Sequence, residues 1–177
     1  LFGPEHGIKG KYSAGETINS EFDELNRIEI ISLYGKKKKP SVNDLNGIEL
    51  MVYDIQDIGS RYYTYISTMT YIIEACAENN IPLIILDRPN PLGGKNIRGP
   101  ILDKGFTSFV GMHEIPIVHG MTTGELAIMI NELNWINLNK KADLTIIPII
   151  NWQRNEIYME QKKGWIPPSP NIPDFET

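Results

Sequence analysis

Three runs of consecutive apolar residues dominate the pattern of the chain. They read IELMVYDI at residues 48–55, IPLIILD at 81–87 and LTIIPII at 144–150, and glycine, asparagine or aspartate stands beside each of them. Unbroken apolar runs of this length between turn residues are typical of strands buried on both faces of a parallel sheet. A shorter piece at residues 115–118, and residues 1–2 at the start, predict two further strand ends.

Two other stretches repeat apolar residues every three or four positions, which predicts helices. The first covers residues 62–78 and stops at Asn79 and Asn80; the second follows Thr122, which stands three residues before Glu125 as in a capping box. Strand, helix and strand with short connections form a βαβ unit, whose strands are parallel. We therefore predict an α/β fold with a Rossmann-like, doubly wound, mostly parallel sheet and flanking helices.

The remaining segments are harder to interpret. Residues 10–33 have the weakest pattern, and residues 20–26 are predicted to be helical. Residues 88–100 are dense in proline and glycine and predict a loop. We predict one Rossmann-like catalytic domain over residues 1–165 that lacks its N-terminal start, followed by a proline-rich arm at residues 166–177 that leads to a further domain.

Composition narrows the classes of partner. The 177 residues carry a formal charge of -5 with a pI near 5.2, so no electrostatic feature favours nucleic acid. The basic run at residues 36–39 ends at Pro40 and is interpreted as a solvated loop. The single cysteine, Cys76, is interpreted as a buried structural thiol. No apolar run reaches the ~18 residues that a membrane span needs.

Polar residues gather where the predicted strands end. In a parallel sheet, ligands bind beyond the carboxyl ends of the strands, so these residues are the candidates for a site. We expect them to lie around one rim, and a tyrosine among them could stack on a sugar. The candidates are Glu5, His6, Asp54, Gln56, Asp57, Arg61, Tyr63, Asp87, Arg88, Asn90 and His119.

Most of these candidates also have a structural interpretation. Asp54 and Asp87 either contact a ligand or have a structural role, in which each caps a helix or pairs with an arginine. Arg61 and Arg88 either meet the substrate or serve as partners of those aspartates. His119 precedes a glycine and a helix cap, so a turn-stabilising role competes with a catalytic one.

Glu5 differs from the other candidates. It lies between Pro4 and His6 in a loop bounded by glycines, and packing gives no reason for a glutamate there. A carboxyl group held partly out of water has a raised pKa and can protonate a leaving oxygen. Glu5 is therefore the predicted general acid.

Several chemistries lack their motifs. The chain has no G-x-S-x-G elbow, no G-x-G-x-x-G and no P-loop, and its three histidines lack zincin spacing. A metal site assembled from histidines distant in sequence stays an alternative. We predict neither a metal ion nor a nicotinamide cofactor.

Five motifs together resemble the NamZ-type exo-β-N-acetylmuramidases: LFGPEHGIKG, YDIQDIGSRYYTYI, LDRPNPLGG, HGMTTGELA and WIPPSPNIP. The resemblance implies a bacterial glycosidase of cell-wall recycling that removes N-acetylmuramic acid from the non-reducing end of peptidoglycan fragments such as MurNAc-GlcNAc. It also implies a Rossmann-like domain joined to a smaller C-terminal domain, with the active site in a cleft between them. The glutamate proposed as catalytic in the family matches Glu5.

The resemblance carries further expectations about the whole protein. The family begins before the first motif and continues past the last, so we expect a chain without its first strand and most of the smaller domain. A secreted or cell-envelope location is implied. The oligomeric state and the activity of the fragment alone stay open.

Glycosidases usually need a second carboxyl group beside the acid. With Glu5 as the acid, the predicted catalytic set includes Asp54 and Asp87, and Asp57 is a further candidate. Alternatively, the acetamido group of the substrate attacks while an aspartate orients it. The residue pattern leaves these routes open.

The other candidates are predicted to bind the substrate. Muramic acid carries a lactyl carboxylate, which the planar fork of an arginine matches, so Arg61 or Arg88 is predicted to read it. Two rival functions use the same residues: a non-catalytic module that binds cell-wall carbohydrate, and another cell-wall hydrolase such as an esterase or amidase. The missing serine elbow counts against the esterase.

Overall fold

The computed structural model describes residues 1–157 and 165–174. The chain divides into two compact units, one comprising Leu1–Asn46 and Gly164–Thr177 and the other Gly47–Lys163. The predicted division into a catalytic domain at residues 1–165 and an arm after it concerns the complete protein and stays a prediction.

The first unit is built on a three-stranded sheet in the order β1-β3-β2, where β1 is Phe2–Gly3, β2 is Glu21–Asp23 and β3 is Ile28–Ser32. Strand β1 runs parallel to β3, with Gly3 opposite Ser32, while β2 is antiparallel to β3. The predicted strand end at the start of the chain is thereby confirmed.

The helix predicted at residues 20–26 is wrong, because this segment forms β2 and a tight turn. Asp23 Oδ1 accepts hydrogen bonds from the backbone N–H groups of Leu25 and Asn26, at 3.0 and 3.1 Å. Arg27 then adopts a left-handed conformation with φ of 54°. A short polar side chain that binds its own following backbone competes with helix formation, and here it reverses the chain.

The second unit contains the predicted alternation of strands and helices. Its main elements are β4 at Met51–Tyr53, α1 at Tyr65–Asn79, β5 at Leu83–Leu86, α2 at Thr123–Glu132 and β8 at Leu144–Ile147. The three strands form a parallel sheet in the order β4-β5-β8, and the two helices follow the first two strands along the chain. Helix α2 packs against β5, β8 and α1.

This arrangement corrects the expected burial of the strands. Met51 and Tyr53 are buried, but Val52 between them is 50% exposed, and Ile147 at the end of β8 is 47% exposed. The sheet therefore alternates between a covered and an open face in this chain, as strand geometry requires of a sheet packed on one side. The fold is a mixed α/β arrangement with small parallel sheets, and the doubly wound form is not confirmed.

A two-stranded antiparallel ribbon completes the second unit. Strand β6, Arg98–Ile101, pairs with β7, Pro116–Val118. The prediction of a loop over residues 88–100 is thus wrong for residues 98–100, which belong to β6. The sequence RGPI carries no strand pattern because every residue of β6 is exposed, so its pairing with β7 decides its conformation.

The predicted end of α1 and the predicted start of α2 are confirmed, whereas α1 begins at Tyr65, three residues later than predicted. Thr122 Oγ1 accepts the Glu125 N–H at 3.2 Å, and the Glu125 carboxylate accepts the Thr122 N–H at 3.0 Å. Asn80 ends α1 with φ of 57° and returns its N–H to the carbonyl of Cys76. Burial raises the pKa of the Cys76 thiol to about 12, as expected of a structural cysteine. Within the described ranges, no helix is long and apolar enough to span a membrane.

Candidate active site

Glu5 lies in a turn that directly follows β1. The N–H of Gly7 donates to the carbonyl of Pro4 at 3.0 Å, which closes a four-residue turn over Glu5 and His6. His6 has φ of 73°, a conformation that usually requires glycine or asparagine. Glu5 is only 6% exposed. The turn therefore holds a largely buried carboxyl group on a constrained backbone.

Two donors meet the Glu5 carboxyl group. The N–H of Gly15 lies 3.0 Å from Glu5 Oε1, and the Tyr34 hydroxyl forms a side-chain hydrogen bond with Glu5. Burial raises the pKa of Tyr34, and the neighbouring Glu5 raises it further. Tyr34 was missed by the sequence reasoning, although the strand pattern before it could have indicated a residue at a strand end.

His6 supports the same turn. Its Nδ1 lies 2.7 Å from the carbonyl oxygen of Tyr12, and its own carbonyl accepts the Tyr12 N–H at 3.3 Å. The imidazole is 3% exposed. These contacts stabilise the loop around Glu5, and substrate contact by His6 stays a prediction.

In the second unit, Asp57 and His119 come together as the sequence predicted for residues at strand ends. Asp57 Oδ2 accepts the N–H of Gly59 at 2.8 Å and lies 3.3 Å from His119 Nε2. Both side chains are buried. Asp57 Oδ1 is buried and has no hydrogen-bond partner among the described residues, which is unusual for a carboxylate oxygen.

Two contacts define the surroundings of His119. Its Nδ1 accepts the backbone N–H of Met121 at 3.2 Å. Its Nε2 lies 3.3 Å from Asp57 Oδ2 but is buried without a hydrogen-bond partner among the described residues. The Met121 contact supports the turn-stabilising interpretation, and a catalytic role for His119 stays a prediction.

Gln56 and Asn90 tie together the loops that follow the strands. Gln56 Nε2 donates to the carbonyls of Asp57 and Pro89 at 2.6 and 2.9 Å. Asn90 Nδ2 donates to the carbonyl of Met121 at 2.9 Å. A Cβ on Gly59 would lie 2.2 Å from the Asn90 side-chain oxygen, so only glycine fits this approach. These amides hold the loops together through backbone groups.

Asp54 and Arg88 form an exposed ion pair. Arg88 Nε and Nη2 lie 2.7 and 2.6 Å from the same oxygen of Asp54, and the side chains are 40% and 46% exposed respectively. Each neutralises the other, and solvent weakens the attraction. Of the two structural interpretations open to Asp54, the arginine pair is the one present.

Asp87 anchors the start of α2. Its oxygens accept the N–H of Gly124 at 2.6 Å, the N–H of Arg88 at 2.9 Å and the hydroxyl of Thr122 at 2.9 Å. Burial raises the pKa of Asp87, although these three donors oppose the rise. The carboxylate thus satisfies backbone donors at a helix N-terminus. Its predicted catalytic role stays untested by these contacts.

Arg61 is a buried cation held by backbone carbonyls. Its Nη1 donates to the carbonyls of Pro100 and Ile115, at 2.9 and 2.5 Å. No carboxylate among the described residues lies within ion-pair distance, and Nε is buried without a hydrogen-bond partner. The residue borders an open concavity of about 270 Å³, lined by Arg61, Pro100, Ile101, Leu102, Asp103 and Phe106.

Tyr63 packs edge-on against Tyr65, with ring centroids 4.5 Å apart. A sugar-stacking role for Tyr63 stays a prediction. Within residues 1–157 and 165–174, no group of three or more histidine, cysteine or acidic side chains is arranged to hold a metal ion.

Residues 1–176 match the family described as exo-beta-N-acetylmuramidase NamZ, N-terminal. The chain belongs to the NamZ family. The whole chain is 46% identical to the peptidoglycan beta-N-acetylmuramidase NamZ of Bacillus subtilis (strain 168), of which it spans 42%. The resemblance predicted from the five motifs is thereby confirmed.

Two solved structures share the fold of this chain. Both are DUF1343 family proteins from Bacteroides fragilis NCTC 9343. The first is 44% identical, with a TM-score of 0.89 over 99% of this chain and 44% of that one. The second is 42% identical, with a TM-score of 0.78 over 88% of this chain and 41% of that one. The chain thus spans less than half the length of each of these relatives.

Proposed function

We propose that the complete protein is an exo-β-N-acetylmuramidase that releases N-acetylmuramic acid from the non-reducing ends of peptidoglycan fragments such as MurNAc-GlcNAc. The observation that carries the proposal is the setting of Glu5, a largely buried carboxyl group on a constrained turn, met by the Gly15 N–H and the Tyr34 hydroxyl. Membership of the NamZ family and the name of the Bacillus subtilis relative support the substrate class.

Glu5 acts in this proposal as general acid and base. Its proton passes to the glycosidic oxygen as the bond to the anomeric carbon breaks, and water that adds to that carbon returns a proton. A proton donor must be oriented toward the leaving oxygen, and the constrained turn supports such a role.

Asp57 is the proposed second carboxyl group. Asp54 is paired with Arg88, and Asp87 accepts three hydrogen bonds at the start of α2. Asp57 keeps a buried oxygen without a partner among the described residues, so this carboxylate has hydrogen-bonding capacity that those residues do not use.

Arg61 is the residue proposed to bind the lactyl carboxylate of muramic acid. Arg88 forms an ion pair with Asp54, whereas Arg61 has no carboxylate partner in the part of the chain that the structure describes. A buried guanidinium with spare donors gains most from an anionic ligand group. Selectivity for muramyl over glucosaminyl sugars then follows from one contact.

The proposal is tested by assaying the complete protein on a chromogenic β-N-acetylmuramide beside the matching N-acetylglucosaminide. We expect muramide-selective release that the Glu5→Gln variant loses while it still binds the sugar. Loss of a general acid typically lowers the rate by roughly 10²- to 10⁴-fold. If the folded protein releases neither sugar, the proposed activity is wrong and the carbohydrate-binding module becomes the better explanation.

We also propose that the parallel sheets belong to a Rossmann-like, doubly wound fold in the complete protein. The open face of the β4-β5-β8 sheet is apolar, with Leu50 at 48% and Val52 at 50% exposed. Exposed apolar faces of parallel sheets are normally covered by helices. The greater length of the relatives provides polypeptide that could cover it.

A further inference from the structure

Glu5 and Tyr34 occupy equivalent places after two neighbouring parallel strands. Gly3 of β1 is in register with Ser32 of β3, and Glu5 and Tyr34 each follow two residues later. The register brings the two chain segments to the same edge of the sheet, where Glu5 lies in the turn that follows β1. The pairing of β1 with β3 therefore places the two residues close together.

The backbone of Tyr34 is fixed at this edge. Ser32 Oγ donates to the Tyr34 carbonyl at 3.0 Å and accepts the Tyr34 N–H at 3.2 Å. Leu33 between them is fully buried and donates its N–H to the Gly3 carbonyl at 2.8 Å. The tyrosine ring therefore starts from an anchored position and loses little freedom when its hydroxyl binds Glu5.

The hydroxyl of Tyr34 has a directed proton. The Tyr34 hydroxyl is hydrogen-bonded to the Glu5 side chain, and the Gly15 N–H, which donates to Glu5 Oε1 at 3.0 Å, lies beside both groups. A phenol hydroxyl has one proton to donate, and the Glu5 carboxylate is the acceptor beside it. The Gly15 N–H and the Tyr34 hydroxyl thus both contact the Glu5 carboxyl group.

We propose that Tyr34 is a positioning residue for the glycosidase reaction, holding the Glu5 carboxyl group in the orientation from which it gives and takes its proton. The inference rests on the proposed function. The proton that reaches the glycosidic oxygen comes from Glu5 and is replaced from the attacking water, while Tyr34 keeps its own proton throughout. Its contribution is to orientation and to charge, through one charge-assisted hydrogen bond.

The test is the Tyr34→Phe variant of the complete protein, which keeps the ring and removes the hydroxyl. We expect kcat to fall roughly 10- to 100-fold, the range for a hydrogen bond to a charged group, with KM unchanged. The loss must be larger for MurNAc-GlcNAc than for a nitrophenyl muramide, because a poor leaving group depends more on the acid. Tyr71→Phe is the matched control, since its hydroxyl makes no hydrogen bond to the described residues and its ring stacks on Phe109.

Thermal unfolding of each variant separates a loss of positioning from a loss of fold. In the Glu5→Gln background, Tyr34→Phe is expected to cause no further loss, because two residues that act through one step are not additive. If the wild type is active but Tyr34→Phe has the same kcat as Tyr71→Phe, the role of Tyr34 is wrong and the proposed function stands. The same holds if Tyr34→Phe lowers kcat equally on both substrates. A folded wild type without muramidase activity overturns the proposed function and this inference with it.

Discussion

The acidic candidates Glu5, Asp54, Asp57 and Asp87 each follow a strand end, and their surroundings give them different capacities. Glu5 is buried and meets the Gly15 N–H and the Tyr34 hydroxyl, Asp54 is exposed and ion-paired, and Asp87 caps a helix. Asp57 is buried with an oxygen that no described residue satisfies. Position at a strand end indicates a candidate, but the partners decide its chemistry.

Arg61 provides the first prediction at this scale. Arg61→Lys keeps the charge and loses the planar fork, so we expect roughly a 10- to 100-fold fall in kcat/KM on the muramide. The glucosaminide lacks the lactyl carboxylate and should lose little. Activity ratios on the two substrates measure the effect, and Arg88→Lys is the matched control. Equal losses on both sugars contradict the assignment.

His113 provides the second prediction at the residue scale, which concerns the pH dependence of stability. It is buried, lies 2.7 Å from Thr70 Oγ1 through Nε2 and stacks on Trp135, and burial lowers its pKa from 6.5 to about 4. As pH falls below 6.5, the imidazole of His113 therefore becomes protonated in the unfolded chain while it stays neutral in the folded chain. Stability from His113 is complete above pH 6.5 and is lost by pH 4, up to about 3 kcal/mol.

Replacing His113 by glutamine removes this titration. We expect the difference in melting temperature between pH 7 and pH 5 to be smaller in His113→Gln than in the wild type. Glutamine can still reach the Thr70 hydroxyl, so the variant should fold. An unchanged pH dependence shows that other groups control acid stability.

At the scale of elements, the start of α2 joins a capping box to a buried carboxylate. Thr122 both caps the helix and donates to Asp87, so one residue serves the helix and the loop after β5. The sequence predicts the box from its spacing. The contact with Asp87 depends on a residue 35 positions earlier, which spacing within the helix cannot indicate.

Gly124 allows this contact and gives the third prediction. A Cβ there would lie 2.7 Å from Ile146 Cγ2 and 2.8 Å from Asp87 Cγ. Alanine gains about 1 kcal/mol in helix propensity, but overpacking costs about 1–3 kcal/mol, so Gly124→Ala should be destabilising. Thermal unfolding measures it against Gly111→Ala, where the nearest atom is 3.6 Å away. A higher melting temperature for Gly124→Ala than for the wild type contradicts the packing argument.

At the scale of the whole molecule, the chain carries an apolar sheet face that its described residues leave half-exposed. Relatives more than twice as long share its fold over this region. An open apolar face on a parallel sheet is unfavourable in water, so it marks where further polypeptide is expected to pack.

The fourth prediction tests whether further polypeptide covers this apolar sheet face in the complete protein. Val52→Asp should change the melting temperature of this 177-residue chain little, because Val52 is half-exposed in it. In the complete protein the same change buries a charge and should destabilise by several kcal/mol. Val42→Asp, at a residue 70% exposed, is the control. Equal effects in both proteins contradict a covered face.

The sequence by itself determined the family, the alternation of strands and helices in the second unit, the capping box and the candidate residues at strand ends. These features depend on local periodicity and on motifs, which neighbouring residues define. Only the tertiary structure decided that residues 98–101 are a strand, that Asp87 caps α2, that Arg88 pairs with Asp54 and that Tyr34 meets Glu5. Each of these contacts joins residues far apart in the chain, so pairing and register determine them.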